Sequence, residues 1–80
     1  MLSKVEIDIL NHLYTSGLID PMNSRTISNI SKHIGLNHSR IRNNINHLHS
    51  LQMVNLGYKE RQSNAYFISQ KGIDEIESKT

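Results

Sequence analysis

Apolar residues recur every three or four positions along most of this chain, a spacing that predicts helices rather than strands. The clearest case is a pair of stripes separated by a Gly-Leu-Asn turn: Ile27, Ile30 and Ile34, then Ile41, Ile45 and Leu48. On a helical wheel Ile45 and Leu48 fall within about 40° of Ile41. The pattern therefore predicts two helices joined by a tight turn, with Gly35 at the left-handed C-terminal position of the first.

The second of these helices, predicted over residues 37–51 with Asn37 as its N-cap, has an unusual polar face. The face contains no acidic residue and consists of Ser39, Arg42, Asn43, Asn46, His47 and Ser50. Asn, Ser and His are weak helix formers, so hydrogen bonding to a partner is a natural compensation for using them. Asn can read adenine, Arg can read guanine, and Ser and His can reach phosphates. The alternative is an ordinary polar helix surface.

The first helix of the pair has the features of a helix that packs behind the second and holds it in place. Thr26 or Ser24 can cap its N-terminus, and Leu36 can fill the angle between the two helices. In a helix-turn-helix the first helix crosses the DNA backbone and the second enters the groove. Arg25 and Lys32 are then placed to touch phosphates.

The residues before this pair predict another helix. Ser3 and Glu6 form a capping-box pattern, an apolar stripe follows, and Gly17 ends the helix. The stripe is broad, so this helix is either fully buried in the domain or partly packed against a second subunit. Asp20 and Pro21 indicate a turn, and we expect a short strand from Met22 to Arg25.

After the second helix of the pair the apolar period changes to that of strands. One strand is predicted around Met53 to Tyr58 and another over Ala65 to Ile68, with a polar connector at residues 59–64. A hairpin in this place is the wing of a winged helix, whose Lys59 and Arg61 could reach a phosphate or a minor groove. The alternative is that a hairpin tip is polar because it is exposed. A short helix capped by Ser69 closes the pattern.

Charge is distributed unevenly along the chain. Between Ser24 and Lys71 there are seven Lys and Arg residues against one Glu, whereas each flank has a net charge of −2. A basic middle between acidic ends predicts a molecule with one face turned to a polyanion.

Composition narrows the class of protein. The 80 residues predict one small domain, residues 1–80, of class α+β and mostly helical. The sequence has no cysteine, no Gly-rich phosphate loop and no recognisable nucleophile motif. We therefore expect that the protein is not an enzyme and binds no cofactor. The five histidines include no pair four residues apart, so we expect no metal site. Without a long apolar run, a cytoplasmic protein is the default expectation.

Two strings carry a resemblance to known proteins: ISKHIGLNHSRIRNNINHLHSLQMV and YFISQKG. They resemble the helix-turn-helix and the strand-to-helix closure of winged helix-turn-helix regulators of the MarR and PadR families. The resemblance covers Ser24 to Ile76 and implies a three-helix core, a two-stranded hairpin wing and a short C-terminal helix. Gln52-Met53 stands where Gly-Leu is usual, Ile68-Ser69 replaces Leu-Thr, and the long extra dimerisation helices of MarR-like proteins are absent.

The resemblance implies sequence-specific binding of double-stranded DNA, most simply by a small repressor-like transcription regulator. The DNA-contacting residues it implies, together with the phosphate contacts named above, are Arg25, Lys32, Asn37, His38, Ser39, Arg40, Arg42, Asn43, Asn46, His47, Lys59, Arg61 and Asn64. Arg42 and Asn43 are the first choices for base contacts, and Ser39 and Asn46 the second. Protonation of His38 and His47 near DNA would tighten binding below about pH 6.5.

Three further questions stay open at this stage. The alternative functions are a winged-helix module that binds proteins and a DNA-binding protein of replication or plasmid partition. We expect a homodimer formed through the N-terminal and C-terminal helices, because a two-fold dimer matches palindromic half-sites. A regulatory protein partner would be one way to control the chain.

Overall fold

The computed structural model describes residues 2–79 and contains four helices and three short strands within them. In chain order these are α1 (Lys4–Thr15), β1 (Arg25–Thr26), α2 (Ile27–Ile34), α3 (His38–Ser50), β2 (Val54–Leu56), β3 (Ala65–Ile68) and α4 (Gln70–Glu77). The order is the one that the sequence predicts. The chain is an α+β winged helix in which α1, α2 and α3 form the helical core.

Each helix begins at a residue whose side chain accepts a hydrogen bond from the backbone three positions later. The four N-caps are Ser3, Thr26, Asn37 and Ser69. Such a cap satisfies one of the N–H groups that the first turn leaves unpaired, and is worth about 1 kcal/mol. The cap of α2 is Thr26 and not Ser24, whose hydroxyl instead donates to the carbonyl of Pro21 at 3.2 Å.

The turn between α2 and α3 is built as the sequence predicts. Gly35 ends α2 with a φ of 85°, the left-handed conformation that favours glycine. Asn37 starts α3 two residues later, and Leu36 between them is half-buried against the core. The Ser31 hydroxyl donates to the carbonyl of Leu36, which fixes the turn to the body of α2.

The three strands form one antiparallel sheet in the order β1-β3-β2. The hairpin of β2 and β3 pairs Val54 with Ile68 and Leu56 with Tyr66, and β1 adds Arg25 opposite Tyr66 on the other edge. The sheet thus has three strands, one more than the hairpin alone.

The predicted strand from Met22 to Arg25 is wrong in its position, because β1 is Arg25–Thr26. Asp20 accounts for the difference. Its carboxylate accepts hydrogen bonds from the backbone N–H groups of Met22 and Asn23, at 3.0 and 2.9 Å, so these two residues form a turn. Hydrogen bonds from the side chain and backbone of Asn23 also hold the pKa of Asp20 below its ordinary value.

The core lies between α1, α2, α3 and the inner face of the sheet. Its largest fully buried side chains are aliphatic: Ile9, Leu10, Leu13, Ile30, Ile41, Ile45, Leu48, Val54 and Ile68. Ile9, Leu10 and Leu13 of the apolar stripe of α1 are thus buried inside the domain, whereas Val5, Ile7 and Tyr14 of the same stripe are only partly buried. The exposed residues of α1 include Lys4, Asn11 and Thr15.

The C-terminal helix packs against the start of β2 at Gly72. A Cβ atom added there would lie 2.4 Å from the carbonyl oxygen of Met53 and 2.7 Å from a side-chain carbon of Ile68. Ser69 strengthens the same junction, because its N–H donates to the Met53 carbonyl at 3.0 Å. Only a residue without a side chain fits at position 72.

Candidate nucleic-acid interface

A cleft runs between α3 and the wing, which is the hairpin segment at residues 57–64. Its floor and walls come from four parts of the chain: the start of α2, one side of α3, the wing and β3. The lining residues are Thr26, Ile27, Ser28, His38, Arg42, Asn46, Ser63, Asn64 and Tyr66. None of them is acidic, so the cleft is neutral to basic.

The side of α3 that borders the cleft carries three polar residues spaced by four. His38, Arg42 and Asn46 follow one another along successive turns, which places them in one row. All three are exposed, and within residues 2–79 their side chains have no hydrogen-bond or ion-pair partner. Their donors and acceptors are therefore available to a ligand.

The wing is shaped by a short turn and an extra residue in one strand. Glu60 and Ser63 exchange two backbone hydrogen bonds of 3.0 Å, and Arg61 between them has a φ of 59°. Nearer the sheet, Gly57 donates to Ala65 at 2.8 Å, so two residues, Tyr58 and Lys59, stand opposite Asn64 alone. A bulge of this kind bends the strand and redirects its side chains.

The N-terminal end of α2 adds a positive electrostatic potential to the cleft. Thr26 caps the helix, and Ile27 and Ser28 in the first turn line the cleft. The N-terminus of a helix carries a partial positive charge and free N–H groups, which favour an anion. Together with the Arg42 guanidinium, this end of α2 makes the cleft suitable for a phosphate group.

The other side of α3 is bonded to α1. His47 donates through Nδ1 to Oε2 of Glu6, and the second oxygen of Glu6 accepts the N–H of Ser3 at 2.8 Å. Asn44 lies beside this pair: its Nδ2 donates to the carbonyl of Arg40 at 2.7 Å, and its Oδ1 accepts from the Ser3 hydroxyl at 3.4 Å. The N-cap of α1 is thus connected to the last two turns of α3.

The Glu6 carboxyl group is ionised more readily than an ordinary glutamate. Burial alone would raise its pKa, but hydrogen bonds from the Ser3 backbone and from the His47 imidazole together lower it below the ordinary value of 4.5. The Glu6 side chain is 5% exposed, whereas that of His47 is 55% exposed. A buried carboxylate is therefore held by a partner at the surface.

The predicted DNA-contacting residues divide into three groups. His38, Arg42, Asn46 and Asn64 line the cleft. Outside it, but exposed on α2, α3 or the wing, are Lys32, Ser39, Arg40, Asn43, Lys59 and Arg61, while Arg25 is half-buried in β1. The side chains of Asn37 and His47 have structural partners, since Asn37 caps α3 and His47 bonds Glu6.

Five residues that line the cleft were not among the predicted contacts. Four of them flank predicted elements: Thr26, Ile27 and Ser28 open α2, and Ser63 precedes Asn64 in the wing. The fifth, Tyr66, is buried and faces Leu56 across the hairpin. The cap at Thr26 was a usable signal for the start of α2, whereas the position of Tyr66 depends on the packing of the sheet on α3.

Two other kinds of feature are absent from the described part of the chain. No three His, Asp or Glu side chains of residues 2–79 are arranged to hold a metal ion. Nor does any helix of this stretch have the length and apolar character needed to cross a membrane.

Comparison with known proteins places the fold. No family model matches the chain, and no curated protein matches it significantly. Among solved structures it is similar to MepR, a transcription regulator of the Staphylococcus aureus multidrug efflux pump MepA, with a TM-score of 0.82 and 14% identity over 96% of this chain. MepR has also been solved in complex with DNA. The transcriptional regulator Tm0710 of Thermotoga maritima matches over 95% of the chain with a TM-score of 0.81 and 19% identity.

The lengths of these proteins differ from that of the chain. The chain spans 54% of MepR and 51% of Tm0710, about half of each regulator. TubR from Bacillus megaterium pBM400 is nearer in size: the match covers 95% of this chain and 83% of TubR, with a TM-score of 0.84 and 13% identity. The winged-helix fold implied by the sequence resemblance is confirmed by these matches.

Proposed function

We propose that this chain binds double-stranded DNA and acts as a small transcription regulator of the repressor type. The observation that carries the proposal is the cleft between α3 and the wing, where unpartnered His38, Arg42 and Asn46 face Asn64 across a surface without acidic residues. The solved proteins that share the fold include two transcription regulators, one of them solved with DNA, which supports the same function.

In this proposal α3 enters the major groove and the wing follows the adjacent backbone. A phosphate lies in the cleft at the N-terminal end of α2, whose first-turn N–H groups favour an anion. Lys59 and Arg61 at the wing, and Lys32 on α2, supply sequence-independent attraction to the backbone.

We assign direct base contacts first to Arg42 and Asn46, because they share the row that borders the cleft. Arg can bond guanine and Asn can bond adenine with two hydrogen bonds each. Asn43 and Ser39 lie on the exposed surface of α3 outside the cleft and are assigned as neighbouring contacts. Asn37 contributes its helix N-terminus rather than its side chain, which is used by the cap.

Selection of bound sequences from a random DNA pool tests the proposal. We expect a preferred sequence, and Arg42→Ala and Asn46→Ala should each weaken binding to it by about 1 to 3 kcal/mol while barely changing binding to random DNA. Lys59→Ala should weaken binding to all sequences and lower the dependence on salt. His49→Gln, an exposed change on the same helix outside the assigned contacts, is the matched control.

The outcomes separate the proposal from its alternatives. Equal losses on the selected and random sequences would contradict the base contacts, and the absence of any DNA binding would favour a protein-binding module. Selected sites in arrays of direct repeats would favour a role in replication or plasmid partition over a repressor.

The proposal assigns the chain no catalytic activity and no cofactor, and it places the protein in the cytoplasm.

We also propose a homodimer formed through α1 and α4, since a two-fold dimer would read two half-sites about one helical turn apart. The two helices pack against each other, and the Tyr14 hydroxyl donates to Glu77 at 2.7 Å. Sedimentation at micromolar concentration, with and without the selected DNA, would test the dimer.

A further inference from the structure

Two histidines meet in the seam between α1 and α2, away from the cleft. The imidazole of His12 on α1 stacks on that of His33 on α2, with ring centroids 3.8 Å apart and ring planes inclined by 19°. His12 is only 6% exposed, whereas His33 lies at the surface. The packing of α2 on α1 thus includes a face-to-face contact of two titratable rings.

The inner ring of this stack is incompletely hydrogen-bonded. Nε2 of His12 is buried and has no hydrogen-bond partner among residues 2–79. Its Nδ1 meets the Ser16 hydroxyl at the long distance of 3.4 Å. Protonation of His12 would therefore give a buried ring a positive charge and a second N–H donor, and no group among residues 2–79 accepts a hydrogen bond from its Nε2.

The charged groups nearest to His12 oppose that proton. Burial is the largest cause that lowers the pKa of His12 below its ordinary value of 6.5, and the positive charges of His33 and Arg25 add to it. On α1 itself, Asp8 borders the same surface hollow one turn earlier, but its carboxylate is paired with Lys4 at 3.1 Å.

The remaining elements that pack on α1 offer no acid to His12. The charged or titratable side chains by which α3 and α4 contact α1 lie elsewhere along the helix, since His47 bonds Glu6 and Glu77 bonds Tyr14. In β3, Tyr66 is the one titratable residue. Nothing in these contacts compensates a charge on the buried ring.

We propose that the His12–His33 stack is a proton-sensitive joint: when His12 takes up a proton, α2 separates from α1 along this seam while the rest of the core stays folded. The other end of α2 forms one wall of the cleft through Thr26, Ile27 and Ser28. A shift of α2 therefore changes the shape of the cleft. The joint itself does not depend on what the cleft binds.

The sign of the effect follows from proton linkage. The folded state binds the His12 proton less readily than the unfolded state, so the unfolded state holds more protons as the pH falls below about 6.5. Acidification through this range therefore lowers the stability of the folded seam, and the contribution of His12 is regained at neutral pH.

Nuclear magnetic resonance of the full chain between pH 8 and pH 5 tests the proposal. We expect the His12 ring to titrate below the ordinary value of 6.5, and the backbone amides of α2 to shift with the same midpoint, while those of β2 and β3 do not. His12→Gln should abolish the α2 response, and His49→Gln on α3 should leave it unchanged.

A second variant keeps the test decisive if His12→Gln does not fold. His33→Gln changes an exposed residue, removes the stacked ring and leaves His12 in place, so the His12 midpoint should rise and the α2 response should shrink. Titration of His12 at an ordinary midpoint without movement of α2 would overturn the proposal. Simultaneous loss of all native amide signals would also overturn it, because it would indicate unfolding of the whole domain.

Discussion

The two sides of α3 use the same residue types for different purposes. On the side facing α1, Asn44 and His47 are bonded to Arg40, Ser3 and Glu6. On the side facing the wing, His38 and Asn46 have no partner among residues 2–79. We refer to these as the bonded side and the open side of the helix.

The comparison shows that position relative to α1, rather than residue type, decides the role of a polar residue on this helix. The bonded side fixes the orientation of α3, because its contacts join residues 41 positions apart in the chain. The open side contributes little to folding, since its polar groups are hydrated in the free protein. Substitutions on the two sides should therefore separate stability from binding.

The largest expected effect on stability comes from removing the charge at the centre of the bonded side. Glu6→Gln keeps the size of the side chain but loses the ionic hydrogen bond with His47, so we expect the free energy of unfolding to fall by about 2 kcal/mol at pH 7. Urea denaturation measures the change. The matched control is Asp8→Asn on the same helix, whose pair with Lys4 is exposed and should contribute less than about 1 kcal/mol.

An equal loss in the two variants would contradict the special role of the bonded side. DNA affinity gives the second readout. At a temperature where Glu6→Gln remains folded, its affinity for the selected sequence should change less than that of Arg42→Ala.

The contribution of Glu6 should also disappear in acid. Its pKa is lowered in the folded protein, so its stabilising effect is present above the ordinary value of 4.5 and is lost as the pH falls through the folded value. The difference in unfolding free energy between the wild type and Glu6→Gln should therefore shrink from pH 6 to pH 3. A constant difference over that range would show that the charge of Glu6 is not what stabilises the pair.

Two asparagines on the same helix provide the sharpest comparison of its sides. Asn44→Ala should lower stability by about 0.5 to 1 kcal/mol, because it removes the bonds to Arg40 and Ser3, and should leave DNA affinity unchanged. Asn46→Ala should weaken specific DNA binding and leave stability the same or slightly higher, because alanine favours the helix. Thermal denaturation and a gel-shift titration on both variants measure the two effects. If Asn44→Ala weakened DNA binding and Asn46→Ala lowered stability, the assignment of the two sides would be contradicted.

The smallest expected effect lies at the end of α3, on neither of its sides. Gln52 has a φ of 63°, a conformation that costs a non-glycine residue about 1 kcal/mol, but glycine loses more backbone entropy on folding, so Gln52→Gly should raise the unfolding free energy by less than about 0.5 kcal/mol. DNA affinity should not change. A loss of stability in denaturant titration would show that the Gln52 side chain makes a compensating interaction.

Local features of the fold were predictable from the sequence, and the long-range ones were not. Gly35 ends α2 and Asn37 begins α3, each through interactions within a few residues, so their roles follow from residue type and spacing. The first strand shows both kinds of feature: the local turn at Asp20 removes Met22 and Asn23 from it, whereas its position at Arg25–Thr26 depends on pairing with β3.

In the candidate interface, contacts between residues distant in the chain were even harder to predict from the sequence. His47 stays a predicted DNA contact, but its partner Glu6 is 41 residues away in the chain, and nothing in the local pattern reveals that contact. Likewise, the cleft needs α2, α3 and the wing together, so spacing along α3 alone could not show that Asn46 lines it and Asn43 does not.

The contact at Gly72 has a consequence for how this domain can vary. A helix surface normally accepts many substitutions, yet at this position even a methyl group would meet the Met53 backbone and push α4 away from the hairpin that bears the wing. In a library covering every position, we expect residue 72 to tolerate fewer replacements than its neighbours Lys71 and Asp74, which are exposed. A low tolerance at residue 72 would then show that α4, although short and at the surface, is needed to hold the hairpin in place.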